Sequence, residues 1–447
     1  MRILIAVHGY PPTHYGGAER RAERTARGLK ERGHDVRVLC IESATDSASA
    51  LRWEDQVQDD ILVRRLFFNL GANADPFRWS YDNPDIRTAF KMLLQEWRPE
   101  VMHLFSGYLM SSSVVRGAAT HRIPVVISLT DYWWLCHRIT LLRADGTRCN
   151  GPTPIDCARC QAETFRRYRL PAQLWPGVTQ KVWHAISPTS KLGEQLGMPE
   201  QIHRAAVLRE TLRLADVLIA PSQYLADTYI RHGVDPARIK VWRQGVERDH
   251  CLLRTADPAL RVGYLGQMKE HKGVHLLLDA WSKLRSPHPR RLALYGSATG
   301  EEFYAQRLRT MLQPLKDAAW KGSFKGSEVW EILAHLDVLV VPSRWVENSP
   351  NSILEAQAVG VPIIGSNLGG IAELVQHEYN GLLFEVDNAA DLALQLQRLL
   401  DEPDLLPKLW QARPPFLSHE DSLDQLDALY PSLSARYRNA SIVREAA

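Results

Sequence analysis

Two glutamates, Glu347 and Glu355, stand eight positions apart in the segment WVENSPNSILEAQAVGVPIIGSNLGG. Paired carboxylates accept hydrogen bonds from hydroxyls but cannot ligate phosphate. The elements around them say what they flank. Asp337–Val341 and Val361–Ile364 are short β-branched runs of the kind that form buried parallel strands. Between them, Ser349 and Pro350 are expected as N-cap and first helical residue, with Gly360 as the stop. Glu347 then lies in the loop and Glu355 about one and a half turns into the helix. Helical side chains lean toward the N-terminus, so Glu355 reaches back toward Glu347. The free amides of Asn351 and Ser352 suit an anion such as phosphate. A diphosphate with a ribose on one side and a sugar on the other would satisfy both the amides and the carboxylates. The plainer reading, a surface loop glutamate and a solvated helical one, is opposed by the flanking Pro350, Asn348 and Gly369–Gly370.

A chain of 447 residues has room for two to three domains. With 45% hydrophobic and 23% charged residues, it has the composition of a soluble globular protein. No apolar run approaches the roughly 18–20 residues of a membrane span. The opening MRILIAVHGYPP reads as a first strand and not as a signal peptide, so a cytoplasmic protein is expected. A net charge of +3 does not imply nucleic acid. Cys136, Cys149, Cys157 and Cys160 form a close set compatible with a structural zinc that staples a loop, free thiols or a redox pair being the alternatives. Cys40 and Cys251 read as single buried thiols.

The first third alternates strand and helix. Strand Ile3–Val7 leads through Gly16–Gly17 into a helix from Ala18 to about Arg32, and strand Val36–Cys40 follows, a right-handed βαβ unit. Residues 43–95 are less regular. Strands are expected at Val101–Leu104 and Val125–Leu129, the latter ending in Thr130–Asp131 at the carboxyl end, where open α/β sheets place ligands. A helix at Glu210–Leu214, strand Val217–Ala220 and strand Lys240–Arg243 close this series. A second begins at Arg261, with strands Val262–Leu265 and Leu292–Tyr295, helices around Val274–Leu284, 301–313 and Ala389–Leu400, and the two-glutamate unit. Two such series predict two doubly wound, Rossmann-like α/β domains facing across a cleft. The expected boundaries are 1–245, with a cysteine-bearing insertion at about 132–185, then 246–417, and a helical segment 418–447 packing back on the first domain.

These residues resemble a retaining glycosyltransferase of family 4, which has the GT-B fold. Glu347 and Glu355, with Gly360-Val361-Pro362 and Gly369–Gly370, resemble the E-x7-E motif of that family. The resemblance implies a nucleotide-sugar donor held mainly by the C-terminal domain and an acceptor held mainly by the N-terminal one. Gly16 and Gly17 resemble the glycine pair near the donor diphosphate. Gly266 to Gly273, GQMKEHKG, resembles the G-R-x-x-x-E-K-G segment, which makes Lys272 the cation for the diphosphate. Gln267 replaces the usual arginine. By the same resemblance Glu355 would hold the ribose hydroxyls, and Glu347 would lie near the donor sugar. The amides of Asn348, Ser349, Asn351 and Ser352 would lie near sugar and phosphate, and Trp320-Lys321-Gly322 on the nucleobase side. Thr130 stands where many members have histidine. Asp131 matches an acidic residue that orients or deprotonates an acceptor hydroxyl. His103 also matches a family position, although a structural role suits it better; His8 and His14 carry weaker signals.

The implied reaction is hexosyl transfer with retention, from a UDP-, GDP- or ADP-linked sugar to a saccharide or lipid-linked hydroxyl, in polysaccharide or glycolipid biosynthesis. No catalytic metal or other cofactor is implied. The alternative is a non-catalytic GT-B-like protein that binds nucleotide sugar or serves as a scaffold. Arg20, Arg21, Arg24, Arg27, Lys30 and Arg32 crowd the first helix, and residues 166–183, RRYRLPAQLWPGVTQKVW, mix basic and aromatic side chains. Both segments suit peripheral contact with anionic lipid at the inner face of a membrane.

Overall fold

The computed structural model describes residues 1–43, 51–247, 257–412 and 414–445. The chain divides into two compact units. Unit 1 comprises Met1–Pro221, Leu225–Trp242 and the chain from Ser422; unit 2 comprises Ser222–Tyr224 and Arg243–Asp421.

Unit 1 carries β1 (Arg2–Val7), β2 (Asp35–Ser43), β3 (Arg52–Gln58), β4 (Ile61–Phe68), β5 (Val101–Phe105), β6 (Val125–Ser128), β7 (Val217–Ala220) and β8 (Ile239–Val241). They form one sheet in the order β3-β4-β2-β1-β5-β6-β7-β8. Only the β3–β4 pair is antiparallel. Ile3 to Val7 are fully buried, as a central parallel strand covered on both faces requires. The helix Gly17–Glu31 lays Ala22, Ala26 and Leu29 onto this core, the spacing of one helical face. From Ser422 the helix His419–Glu445 adds Leu423, Leu426, Tyr430 and Leu433 to the same core. Arg32 of the first helix bonds Asp424 and Asp427 there, each at 2.7 Å.

Unit 2 carries β9 (Leu260–Leu265), β10 (Arg290–Tyr295), β11 (Ala318–Gly322), β12 (Val338–Val341), β13 (Ile363–Ser366) and β14 (Gly381–Phe384). Their order is β11-β10-β9-β12-β13-β14, and every pair is parallel. Trp281, wholly buried on the helix Val274–Lys283, anchors the core on one face of this sheet.

Strand order reverses at β1/β5 in unit 1 and at β9/β12 in unit 2. The loops at the carboxyl ends of these strands border the crevice where such sheets bind ligands. In unit 1 they carry His8 and Ser106; in unit 2 they carry Gly266–Gly273 and Ser343–Glu347.

The structure corrects several local expectations. The irregular stretch 43–95 holds β3, β4 and the helix Pro84–Glu96, whose start is capped by the side chain of Asn83. The β3 sequence, RWEDQVQ, is charged and exposed at a sheet edge, a composition that blocks further pairing and hides the strand from a hydrophobicity scan. The helix read as Glu210–Leu214 runs from Met198. Strands β11 and β14 were not anticipated; both are only four or five residues long.

Candidate active site

In unit 2, Pro350 is the N-cap and the helix runs Asn351–Ala358, one residue later than the sequence suggests. The proline fixes φ ahead of the first turn and has no amide to satisfy. Gly360, at φ +74°, follows the helix in the left-handed conformation that ends it.

Glu347 is buried before this helix. Its Oε1 accepts a hydrogen bond from Lys272 Nζ at 2.7 Å and from Ser343 Oγ at 2.8 Å. Burial opposes ionisation of Glu347, but the Lys272 charge and the hydrogen bonds outweigh it and hold the carboxyl below the usual glutamate value. The ammonium of Lys272 also lies 5.0 Å from the centre of the Trp345 ring, a cation–π contact. Lys272 is presented by a tight turn. Gly273 has φ +74°, and a Cβ on it would fall 1.9 Å from the Pro342 carbonyl oxygen, so only glycine lets these two loops meet. The Arg344 amide joins them again by donating to the His271 carbonyl at 2.8 Å.

Gly370 explains the double glycine. Its amide donates to the Glu347 carbonyl at 2.8 Å, and a Cβ there would fall 1.8 Å from the Asn348 carbonyl oxygen. The start of the helix Gly369–Leu374 is thereby clamped against the Glu347 loop. Glu355 is buried on the Asn351–Ala358 helix. Ser349 Oγ is buried with no hydrogen-bond partner among the described residues. The Gln244 side-chain amide donates to the Ser349 carbonyl at 3.2 Å and to Asn351 Oδ1, tying the helix start to the segment after β8. Gln267 is exposed. An open cavity of about 580 Å³ lies beside this loop, lined by Gly296, Ser297, Arg309, Trp320, Gly322 and Ser323. The indole of Trp320 donates to the Gly296 carbonyl at 2.9 Å. A cavity of similar size lies at the opposite, amino-terminal edge of the sheet, by Asp257, Arg261 and Asp337.

In unit 1, Asp131 accepts hydrogen bonds from the Trp133 amide at 2.8 Å, Ser106 Oγ at 3.0 Å and Thr130 Oγ1 at 3.2 Å. Burial dominates these bonds and raises its carboxyl above the usual aspartate value. His8, just past β1, places Nε2 at 3.2 Å from Glu19 Oε1. Burial works against the imidazolium, but the Glu19 bond and charge prevail and the His8 value is raised. Glu19 shifts the opposite way: burial pushes its carboxyl up, and the bond and charge of His8 bring it below the ordinary value. Nδ1 of His8 is buried without a partner among the described residues. Gly16 caps the helix Gly17–Glu31, and a Cβ on it would meet the Glu19 carboxylate at 2.4 Å. A carboxylate of the chain therefore lies over the Gly16–Gly17 turn. His103 is structural: its ring nitrogens bond Tyr430 Oη at 2.6 Å and Ser128 Oγ at 2.9 Å.

Residues 16–245 match the family model described as "Glycosyl transferase 4-like domain", and residues 253–412 match "Glycosyl transferases group 1". The chain belongs to the glycosyl transferase 4-like family. The glycosyltransferase is 24% identical over 433 residues to glycogen synthase from Mycobacterium tuberculosis, covering 90% of this chain and 87% of that protein. It is 29% identical over 224 residues to WcaL of Escherichia coli, a putative colanic acid biosynthesis glycosyltransferase, covering 47% of this chain and 54% of that one. Among solved structures, HepE from Anabaena in complex with UDP and glucose superposes with a TM-score of 0.62 at 17% identity, covering 96% of this chain and 99% of that one. The fold of the glycosyltransferase is GT-B, two parallel-sheet α/β domains.

Sequence reading underweighted His8 and missed Glu19, Ser106, Ser343 and Gln244. A signal was present for the first two: His8 directly follows the central strand, and Glu19 stands in the first turn after the glycine pair. The cysteine expectation meets a different arrangement. Cys157 and Cys160 share the helix Pro154–Ala162; with Cys136 and Cys149 they are free thiols. Among the described residues no three His, Cys, Asp or Glu side chains form a group that could hold a metal ion. Burial pushes the Cys157 thiol up to about 12 and the Cys160 thiol to about 11. Cys251 lies outside the described residues. The basic face of the first helix is also less free than it reads: all six of its cations are half-buried, and Arg32 is committed to Asp424 and Asp427.

Proposed function

We propose that this glycosyltransferase moves a hexosyl group, with retention of anomeric configuration, from a nucleoside-diphosphate sugar to a saccharide or lipid-linked hydroxyl in polysaccharide or glycolipid assembly. The observation that carries the donor assignment is the Lys272–Glu347 pair beside the open start of the Asn351–Ala358 helix. The pair brings a cation and an ionised carboxylate to one point, and the helix start adds free amides and the unpartnered Ser349 hydroxyl. A diphosphate joined to a hydroxylated ring has matching groups. The relatives named above, a glycogen synthase and a protein of colanic acid biosynthesis, support the polysaccharide class.

In this reading Lys272, with the amides of Asn351 and Ser352, receives the diphosphate. Glu347 accepts hydroxyl bonds from the donor sugar, Asn348 and Ser349 line it, and Glu355 holds the ribose diol. Gly266 and Gln267 border the diphosphate, and the cavity beside Trp320 takes the nucleobase. The missing arginine at Gln267 is offset in part by Lys269 of the same loop, which makes no ion pair among the described residues. As the bond from anomeric carbon to phosphate oxygen breaks, negative charge grows on the departing diphosphate. Lys272 and the helix amides are already in place to meet it. The acceptor oxygen bonds the same face of the carbon, and its proton passes to the leaving phosphate. On unit 1, Asp131 orients the acceptor hydroxyl, and Gly16 and Gly17 border the donor diphosphate.

The test is a panel of UDP-, GDP- and ADP-sugars, followed by release of nucleoside diphosphate with and without saccharide acceptors. One donor should stabilise the protein on binding and turn over faster with acceptor. Stabilisation with no release under any condition would leave a binding protein in place of an enzyme. An inverted product anomer would overturn retention.

A further inference from the structure

We propose that the helical hairpin at residues 166–185 is a docking surface for anionic lipid headgroups. Two short helices, Arg166–Leu174 and Pro176–Ala185, pack on each other and meet at Trp175. The hairpin is held to unit 1 by a small cluster in which buried Trp183 and half-buried Tyr168 pack with Ala158, Ala162 and Met198. Most of its other side chains are exposed. Leu174 is 65% exposed, and Trp175 and Val178 are each 61% exposed. Leu170 and Val182 are exposed beside them. Val178 and Val182 share one helical face, as do Leu170 and Leu174, and Trp175 stands at the junction between the two helices. Large apolar side chains grouped this way mark an interaction surface; scattered singly they would mean nothing.

Charge decides what the surface fits. Between Glu163 and Glu194 there is no acidic residue, whereas Arg166, Arg167, Arg169, Lys181 and Lys191 all fall in that stretch. Among the described residues none of these five cations is ion-paired within the chain; Arg167 instead stacks on the rings of Phe165 and Tyr168. Exposed aliphatic and tryptophan side chains bordered by unpaired arginines are complementary to an interface with hydrocarbon below and negative charge above. A second copy of the chain is a poor occupant, because an isologous contact would press two cationic, anion-free faces together. A polyanion in water would use the arginines but leave the leucine and valine side chains without a role. The hairpin is too short to span a bilayer, and no helix among the described residues is long and apolar enough to cross one. It would lie on the surface, and this inference does not depend on the donor and acceptor assignments.

Flotation of the full chain with vesicles tests it. Binding is expected to phosphatidylcholine vesicles containing about one third phosphatidylglycerol, at least roughly tenfold over phosphatidylcholine alone, and to weaken in high salt. The triple change R166Q/R167Q/R169Q should reduce it at least roughly tenfold, given about fivefold per cation. R166K/R167K/R169K should retain it. L174S/W175S should lose it to a similar degree, while unfolding temperature and donor hydrolysis stay at parental values in all three variants. Absence of flotation, equal flotation with neutral vesicles, or flotation indifferent to the glutamine or the serine changes would overturn the proposal. So would a concentration-dependent dimer that L174S/W175S dissolves, which would make the face a self-association surface. Indifference to L174S/W175S together with tight binding to single-stranded RNA would make it a polyanion site.

Discussion

Both units place polar side chains where the strand order reverses, and both start a helix nearby, yet they arrange charge in opposite ways. In unit 1 the chain covers its own helix start with the Glu19 carboxylate, which His8 holds at 3.2 Å. Its central carboxyl, Asp131, is surrounded by neutral donors and is raised above its usual value by burial. In unit 2 the carboxylate Glu347 has a cation at 2.7 Å and is lowered. The start of the Asn351–Ala358 helix keeps the buried Ser349 hydroxyl without a partner among the described residues. Two copies of one α/β scheme can therefore favour different ligands. A helix start beside Lys272 attracts an anion more strongly than one whose own Glu19 carboxylate is already paired with His8. That contrast supports the proposal that unit 2 carries most of the donor contacts.

The largest effect that would break the contrast is Lys272→Ala. Removing the cation leaves Glu347 buried without its partner, a loss on the order of 3 kcal/mol in stability. Turnover should fall roughly 100- to 1,000-fold. Unfolding curves and nucleoside diphosphate release measure both. A variant with intact turnover would show that charge at this point is irrelevant to catalysis. Asp131→Asn should lower kcat about 100-fold or more with nucleotide affinity unchanged, as titration calorimetry would report. If affinity fell instead, Asp131 would be handling the donor and not the acceptor.

Glu355→Ala sharpens the donor side. Nucleotide affinity should weaken about tenfold, and Glu347→Gln should depress turnover more than affinity. Equal Kd for the Glu355 variant and the parent would remove the ribose assignment.

A pair of glycines sets backbone against side chain. In Gly370→Ala the new Cβ meets the Asn348 carbonyl oxygen at 1.8 Å; the Glu347 loop must move, at a cost of about 1–3 kcal/mol. In Gly16→Ala the Cβ meets only the movable end of Glu19, and the backbone has an ordinary φ of −71°. Its stability should stay within about 0.5 kcal/mol of the parent. Similar losses in the two variants would mean that Glu19 is as rigid as backbone.

The smallest effects are in pH dependence. Glu347 is held below the ordinary glutamate value of 4.5. It contributes stability above pH 4.5 that is lost as pH falls through the folded value. Asp131 is raised above 3.8, so its ionised form costs stability at neutral pH, and that cost is relieved as pH falls through the raised value toward 3.8. Glu347→Gln should flatten the stability curve in the acid window below pH 4.5, and Asp131→Asn in the window just above pH 3.8. Urea midpoints across pH 3–6 would check the signs; identical changes in both variants would erase the distinction between the units.

Much of this was legible in the chain itself. Buried parallel strands declare themselves through runs such as Val338–Val341, whose four side chains are all buried. Glycines at the ends of such runs announce tight loops. What periodicity could not show was β3, whose exposed charges conceal a strand, or the true length of the Met198–Leu214 helix, whose buried Arg204 and Gln201 interrupt the apolar pattern.

Local sequence determined that Glu347, Lys272, Asp131 and the Gly369–Gly370 pair would lie just beyond the ends of strands, because strand and turn propensities act over a few residues. Tertiary structure alone decided which charges meet. Lys272 and Glu347 are 75 positions apart, and nothing in either segment specifies the other until β9 and β12 pair and bring their carboxyl ends together. The same holds for His103 and Tyr430, 327 positions apart, which become partners only when the last helix closes over the first sheet. Hydrogen bonds and ion pairs of that reach are a consequence of packing, and they set the ionisation on which the chemistry depends.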